Sequence, residues 1–288
     1  MTVFVRVLNP ILMILLGLAV GGLVSRLRNA DWRLYGAGAL TFIGSQVFHI
    51  PFNTKVLNPL LARLTDTPLQ GPFLVVTAVA LGLSAGVFEE TSRYLVYRFA
   101  IKQARAWKDG LMFGAGHGGI EAILFGALSL LTVINIFVLS GRDIGTLIPA
   151  EQLPLAQQQI DAFWAAPWYG VLLGALERVF ALCFHLAASV MVLQVFRRKN
   201  ILWLFGAIGL HTLLDGLAVF SAQIWGAYVT EGFLAVFAVV CVWIIFRLRE
   251  TEMPEENPMF QPLPLSELKQ IPVPPRVTQE NIEDSKYV

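Results

Sequence analysis

The sequence predicts an all-α polytopic membrane protein with about seven transmembrane helices. Of its 288 residues, 56% are hydrophobic and only 14% are charged. Soluble domains carry nearer to about 25% charged residues, so most of this chain is expected to lie in lipid. The apolar residues also fall into runs close to the roughly 20 residues that one helix needs to cross a bilayer.

Seven apolar segments reach that length. They cover approximately residues 3–24, 33–54, 72–98, 109–139, 168–196, 201–221 and 227–247. The first is interpreted as a retained span, because no small-residue cleavage site and soluble domain follow it. The second is the weakest, since Gln46, His49 and Pro51 interrupt its apolar character. His49 is interpreted as an interfacial or satisfied histidine.

Basic residues predict the orientation of these spans. Twelve Lys and Arg residues adjoin one set of helix ends, hereafter the basic side, and only four adjoin the other. By the positive-inside rule, the N-terminus is outside and the C-terminus is cytoplasmic, with the protein in the cell membrane. The twelve are Arg26, Arg28, Arg33, Arg98, Lys102, Arg105, Lys108, Arg197, Arg198, Lys199, Arg247 and Arg249.

The chain is expected to divide into two regions. Residues 1–249 form the transmembrane helical domain, and residues 250–288 form a disordered cytoplasmic tail with seven prolines, eight acids and three bases. Such a segment lacks the apolar residues that a packed core requires. The net charge of +1 gives no indication of a nucleic acid partner. Cys183 and Cys241 lie in apolar stretches and are interpreted as core residues.

Four of the apolar segments contain charged side chains that a lipid-facing helix would not tolerate. Each costs roughly 2.5–3.5 kcal/mol at the centre of a bilayer on insertion scales. Together they would cost about 20 kcal/mol unpaired, more than the roughly 5–15 kcal/mol net stability of a typical fold. They must therefore face one another, water or a metal ion. These residues are Glu89, Glu90, Arg93, Glu121, Glu177, Arg178 and Asp215.

The depth of the polar residues predicts a single site. Glu89 and His117 each lie nine residues from a basic residue at the basic side, and His185 and His211 each lie twelve. At about 1.5 Å per residue, all four lie roughly 13–18 Å from that side. We expect them to converge with Glu90 on one cavity that opens toward the cytoplasm.

Helical spacing adds carboxylates to this site. His117 and Glu121 are four residues apart, as are His211 and Asp215. Each pair therefore shares a helix face, either as two metal ligands or as a ligand with its orienting partner.

Five acids and two arginines leave a charge of about −3 if all are ionised. That excess calls for a divalent cation, for protonated carboxylates, or for both. Arg93 follows Glu90 by three residues and Glu89 by four, so it can stabilise either carboxylate. Glu177 and Arg178 lie further from the basic side, and a purely structural ion pair is an equally good interpretation of them.

The ordered motifs of the chain resemble those of a known family. They are Phe88-Glu89-Glu90-x-x-Arg93, Gly116-His117-Gly118-Gly119-Ile120-Glu121-Ala122, Glu177-Arg178 with His185, and His211-x-x-x-Asp215. Over about residues 5–248 this set resembles the YhfC family of intramembrane metalloproteases. That family is placed in the wider superfamily of CAAX prenyl endopeptidases and bacteriocin-processing enzymes (CPBP), with relatives of the PrsW type.

The resemblance implies roles for several residues. Glu89 or Glu90 would activate the attacking water, His185 would match the histidine of a later superfamily helix, and His211 with Asp215 would match the final His-x-x-x-Asn/Asp motif. Prenyl endopeptidases usually have three residues between the second glutamate and the arginine, whereas this chain has two. The shorter spacing fits the YhfC and PrsW side and argues against a prenylated substrate.

The first hypothesis is therefore an intramembrane peptidase that hydrolyses a peptide bond of a membrane-associated protein or peptide. A proton- or cation-coupled transporter also suits buried acids and histidines, although no inverted repeat is evident. A catalytically silent membrane scaffold is the third interpretation. The candidate catalytic residues are Glu89, Glu90, Arg93 and His185, and the candidate ligands of a divalent metal, expected to be zinc, are His117, Glu121, His185, His211 and Asp215.

Overall fold

The computed structural model describes residues 2–140 and 142–249. Within those ranges all regular structure is helical, which confirms the predicted all-α fold. The tail expected over residues 250–288 lies outside the described residues.

Ten α-helices and a few short helical turns make up the described chain. A π-helical turn, Asn53–Leu57, connects the second helix to the third. The helices are α1 (Thr2–Arg28), α2 (Trp32–Phe52), α3 (Asn58–Leu64), α4 (Gly71–Phe99), α5 (Trp107–Ser140), α6 (Leu153–Ala165), α7 (Trp168–Val171), α8 (Leu173–Arg197), α9 (Leu202–Trp225) and α10 (Ala227–Arg247).

Six helical segments of the described chain are long and apolar enough to cross a membrane. They are α1, α4, α5, α7 continued by α8, α9 and α10, and they show a multi-pass integral membrane protein. The second predicted span forms α2, a helix of 21 residues, but polar residues dilute it and it falls outside these six. The count of seven spans and the orientation across the membrane stay predictions.

Helix α5 packs against α2 and α8 at glycine positions, where the backbones of the helices meet without an intervening side chain. A Cβ atom added at Gly116 would lie 1.9 Å from the Tyr35 carbonyl oxygen of α2, and one at Gly38 would lie 2.0 Å from the Phe113 carbonyl oxygen of α5. On the opposite face, a Cβ atom at Gly114 would lie 2.7 Å from the His185 carbonyl oxygen of α8. Small residues of this kind let helices in a membrane approach closely.

The hydrophobic core occupies the half of the bundle nearest the basic side. Tyr97, Phe113 and Leu193 are fully buried there, at the corresponding ends of α4, α5 and α8. Trp107 closes this end, because its indole N–H donates to the Ile245 carbonyl oxygen of α10 at 2.9 Å. The polar residues of the bundle therefore lie beyond this core, further from the basic side.

The contact between α2 and α5 predicts an asymmetric response to added methyl groups. Gly38→Ala should destabilise the bundle by about 1–3 kcal/mol, the usual cost of overpacking. Gly36→Ala on the same helix should be neutral or slightly stabilising, because no described atom lies within 4 Å of its added Cβ and alanine favours helix by about 1 kcal/mol. Thermal unfolding of the two purified variants in detergent measures the difference, and equal unfolding temperatures would contradict the close packing.

Candidate active site

The predicted site residues meet between four helices. Helix α4 contributes two glutamates and an arginine, α5 and α9 each contribute a histidine and a carboxylate, and α8 contributes one histidine. Every histidine of the set is buried. The residues brought together are Glu89, Glu90, Arg93, His117, Glu121, His185, His211 and Asp215.

Arg93 is the fully buried cation at the centre of this set. Its Nη1 donates to both carboxylate oxygens of Glu90, at 3.2 and 3.3 Å, and its Nη2 lies 3.9 Å from Oε2 of Glu89. The expected stabilisation of the glutamate pair by Arg93 is confirmed. Nη2 also donates to Nδ1 of His185 at 2.7 Å. Since arginine is only a donor, Nδ1 of His185 accepts and its ring proton lies on Nε2.

His185 also connects Arg93 to a second cluster of charged residues. Its Nε2–H donates to Glu121, and Glu121 also accepts from Arg178. Arg178 donates in turn to Glu177. The Glu177–Arg178 pair of the sequence therefore exists, but Arg178 is also connected through Glu121 to the site histidine.

Glu121 does not pair with the histidine that the sequence spacing suggested. Nε2 of His117 instead lies 3.0 Å from Oε2 of Glu89, across the α4–α5 contact. Glu121 turns to α8, where the Arg178 cation and the His185 N–H both stabilise its negative charge. Partners on neighbouring helices override the four-residue spacing within α5.

His211 links the two carboxylates of the α4–α9 interface. Its Nδ1 lies 2.9 Å from Oε1 of Glu90, and its Nε2 lies 3.5 Å from Oδ2 of Asp215. The expected His211–Asp215 pair is thus confirmed as a contact. Glu90, with no exposed surface, is held by both Arg93 and His211.

A cavity of about 310 Å³ adjoins the cluster. On α4, α5, α8 and α9, the lining residues run from the site away from the basic side, as with Glu121 and Phe125 on α5. The Asp215 side chain is 38% exposed at this end, whereas Glu90 at the other end is closed off. The expected opening toward the basic side is wrong, because the apolar core fills that half of the bundle.

Helix α2 contributes site residues that the sequence interpretation missed. Gln46 donates to Oε1 of Glu89 at 2.9 Å, and both Gln46 and His49 line the cavity. His49 is a satisfied histidine, as expected, since both of its ring nitrogens have hydrogen-bond partners; its place at the cavity was not predicted. The available signal was a polar stripe at spacings of three and four residues, which runs along one face of α2 at Gln46 and His49 and continues into the π-helical turn at Asn53.

Three of these side chains have the chemistry to hold a metal ion. The ligating atoms of Glu89, His117 and His185 all lie within 4.8 Å of one another. Two histidines and one glutamate are the protein ligands of several catalytic zinc sites. Glu121 accepts the Nε2–H of His185, an arrangement that orients histidine ligands. The nitrogen of His185 that could bind a cation is therefore Nδ1, which accepts from Arg93 in this structure. Nδ1 of His117 is buried with no hydrogen-bond partner among the described residues. The donor types therefore fit a divalent cation once Arg93 releases Nδ1 of His185. The ligand roles of His117, Glu121, His185, His211 and Asp215 stay predictions.

The fold and the site together define a multi-pass, all-α membrane protein with a histidine–carboxylate centre buried among its helices. The chain belongs to the YhfC family, since the family model described as YhfC intramembrane metalloprotease matches residues 12–238. This membership confirms the resemblance drawn from the motifs. The wider relation to the CPBP superfamily and to PrsW is consistent with it and stays a prediction.

One curated relative is similar over most of the chain. It is the "Uncharacterized membrane protein YhfC" of Bacillus subtilis (strain 168), which is 32% identical over 226 residues. The matched region covers 75% of this chain and 84% of the relative. No solved structure matches the chain.

The ion cluster predicts that its two glutamates differ in importance for stability. Glu121→Gln removes the charge that both Arg178 and His185 donate to, so it should cost about 1.5–3 kcal/mol, the worth of hydrogen bonds to charged groups. Glu177→Gln should cost less than about 1 kcal/mol, because its side chain is 43% exposed and water screens the pair. Thermal unfolding in detergent compares the two, and a larger loss for Glu177→Gln would contradict this arrangement.

Proposed function

We propose that this protein is an intramembrane peptidase that hydrolyses a peptide bond of a membrane-associated protein or peptide. The observation that carries the proposal is the meeting of Glu89, His117 and His185 at the edge of a cavity between transmembrane helices. Membership of a family described as intramembrane metalloproteases supports the same reaction. The lipid bilayer brings substrate and cavity to the same depth.

Glu89 is the proposed proton acceptor from water. It lines the cavity, and its Oε2 faces the imidazole of His117. Glu90 has no exposed surface and its carboxylate is already held by Arg93 and His211. We therefore assign Glu90 to positioning Arg93 and His211, and the water-activating role to Glu89.

His117 and His185 supply the polar groups next to Glu89. His117 orients Glu89 through Nε2, and His185 is held in one orientation by Arg93 and Glu121. A divalent cation, with zinc favoured by the donor set, would be held by His117 and His185 beside Glu89, and it would supply Lewis acidity to water and to the scissile carbonyl. Arg93 balances the negative charge of α4 throughout.

The proton-acceptor role predicts different outcomes for the two adjacent glutamates. Glu89→Gln keeps the size of the side chain but removes its basicity, so turnover should fall by about 10²–10⁴-fold with the fold retained. The measurement compares membrane peptides that accumulate in cells lacking the protein, or producing this variant, with those in wild-type cells. Accumulated peptides then serve as substrates for the purified enzyme.

Glu90→Gln is the matched control. It should lower the unfolding temperature as well as activity, because it leaves Arg93 and His211 without a buried anionic partner. Full cleavage by both variants would rule out the glutamate mechanism and favour a transporter or a silent scaffold.

Metal content provides a test that needs no substrate. Protein purified in detergent should bind close to one equivalent of zinc, and His185→Ala should lose it because a histidine ligand is removed. Cys241→Ala, buried away from the site, is the control and should keep the metal. Zinc-free wild-type protein that still cleaves its substrate would contradict the metal assignment but leave the glutamate role standing.

A further inference from the structure

A continuous chain of hydrogen bonds leads from Glu89 away from His117 and His185. Oε1 of Glu89 accepts from Nε2 of Gln46 at 2.9 Å. Oε1 of Gln46 lies 3.2 Å from Nδ1 of His49, and Nε2 of His49 lies 2.9 Å from Nδ2 of Asn53. Oδ1 of Asn53 accepts from the Ser84 hydroxyl at 2.6 Å. The chain therefore begins at Glu89 on α4, passes through α2 and the π-helical turn, and returns to α4 at Ser84.

Every link of this chain has one donor and one acceptor, and all donors point toward Glu89. The Ser84 hydroxyl donates to the Asn53 carbonyl oxygen, and the Asn53 amide N–H₂ faces His49. Nε2 of His49 then accepts, which places the ring proton on Nδ1. That proton donates to the Gln46 carbonyl oxygen, and the Gln46 N–H₂ faces Glu89.

The local structure of α2 holds these groups in line. Pro51 lies inside the helix, and the π-helical turn Asn53–Leu57 follows directly. Single turns of π-helix are often found at functional sites. The His49 ring stacks on Phe88, with 5.5 Å between ring centroids and 28° between planes. Phe88 immediately precedes Glu89, so the same contact fixes the ring relative to the carboxylate.

We propose that Gln46 and His49 are positioning residues that orient the Glu89 carboxylate for its reaction with water. This inference rests on the proposed function of Glu89. Gln46 holds Oε1, which leaves Oε2 directed at His117. His49 determines which end of the Gln46 amide faces Glu89, and Asn53 determines which nitrogen of His49 carries the proton.

The orientation matters because an amide has a donor end and an acceptor end. With the His49 proton on Nδ1, Gln46 presents N–H₂ and stabilises the negative charge of Glu89. With the chain reversed, Gln46 would present its carbonyl oxygen to the carboxylate, and the two acceptors would repel. A hydrophobic residue at position 49 would leave the amide free to rotate between these states.

The first experiment needs no substrate and determines which ring nitrogen of His49 carries the proton. The protein has four histidines, so NMR of ¹⁵N-histidine-labelled protein in detergent resolves each ring, and loss of one signal set in His49→Asn assigns His49. We expect neutral His49 to carry its proton on Nδ1. A proton on Nε2 would overturn the proposal, because it reverses the chain and turns the Gln46 carbonyl oxygen toward Glu89.

The second experiment measures the effect on catalysis with a matched pair of variants. His49→Asn places an amide N–H₂ near the position of Nδ1 and should keep kcat within about 3-fold. His49→Leu has similar bulk without a donor and should lower kcat by about 10–100-fold with KM little changed, the usual loss when an orienting partner is removed. Equal kcat for the two variants would overturn the positioning role.

The two proposals fail in distinguishable ways. Cleavage retained by Glu89→Gln would contradict the proposed function, whatever His49 does. Loss of cleavage in Glu89→Gln with equal activity of His49→Asn and His49→Leu would contradict only the positioning chain.

Discussion

A fully buried arginine inside a transmembrane helix is the constraint on which the rest of the structure depends. Arg93 cannot lose its charge, so its neighbours must neutralise it within the bundle. Glu90 and Glu89 do so on its own helix, and these carboxylates in turn engage His211 on α9 and His117 on α5. His185 on α8 also accepts from Arg93. Four helices are thus joined through one cation, and each would expose an unpaired group in low dielectric if the others moved away.

Close backbone packing gives this polar network its precision. A Cβ atom added at Gly118 would lie only 2.7–3.0 Å from three atoms of the His185 side chain. The His185 ring therefore rests directly on the backbone of α5, and Arg93 and Glu121 fix its two nitrogens. In lipid no hydrophobic force between helices holds such a site together, so small residues and interhelical hydrogen bonds share that role.

The sequence predicted which polar residues come together, but not which of them form hydrogen bonds with each other. Basic residues mark one end of each span, and the rise per residue converts distance from that mark into depth, so the common depth of Glu89, His117, His185 and His211 could be found. Depth gives no information on rotation about a helix axis or on which helices are neighbours. For that reason the spacing could not show that Glu121 pairs with His185 of the neighbouring helix.

The polar stripe of α2 was overlooked for a related reason. Gln46 and His49 lower the apolar character of the segment, and a hydropathy argument treats them only as a weakness of the span. In the bundle their polar atoms are matched to Glu89 and to each other. These hydrogen bonds offset the free energy of burying polar side chains in the membrane. They form between helices, so the residue pattern of one helix does not reveal them. The side on which the cavity opens was missed as well, since it depends on where the large core residues pack.

The one-sided cavity has an electrical consequence. A water-accessible cavity conducts the potential of the compartment that it faces, whereas the apolar core around Tyr97, Phe113 and Trp107 insulates. Most of the transmembrane voltage therefore falls across that core, and one elementary charge moved through 100 mV gains or loses about 2.3 kcal/mol. Glu89 lies on the cavity side of the insulating layer. In the proposed reaction, a proton accepted by Glu89 would come from water on the cavity side and would cross little of the field, so the proposed chemistry would depend little on the membrane potential.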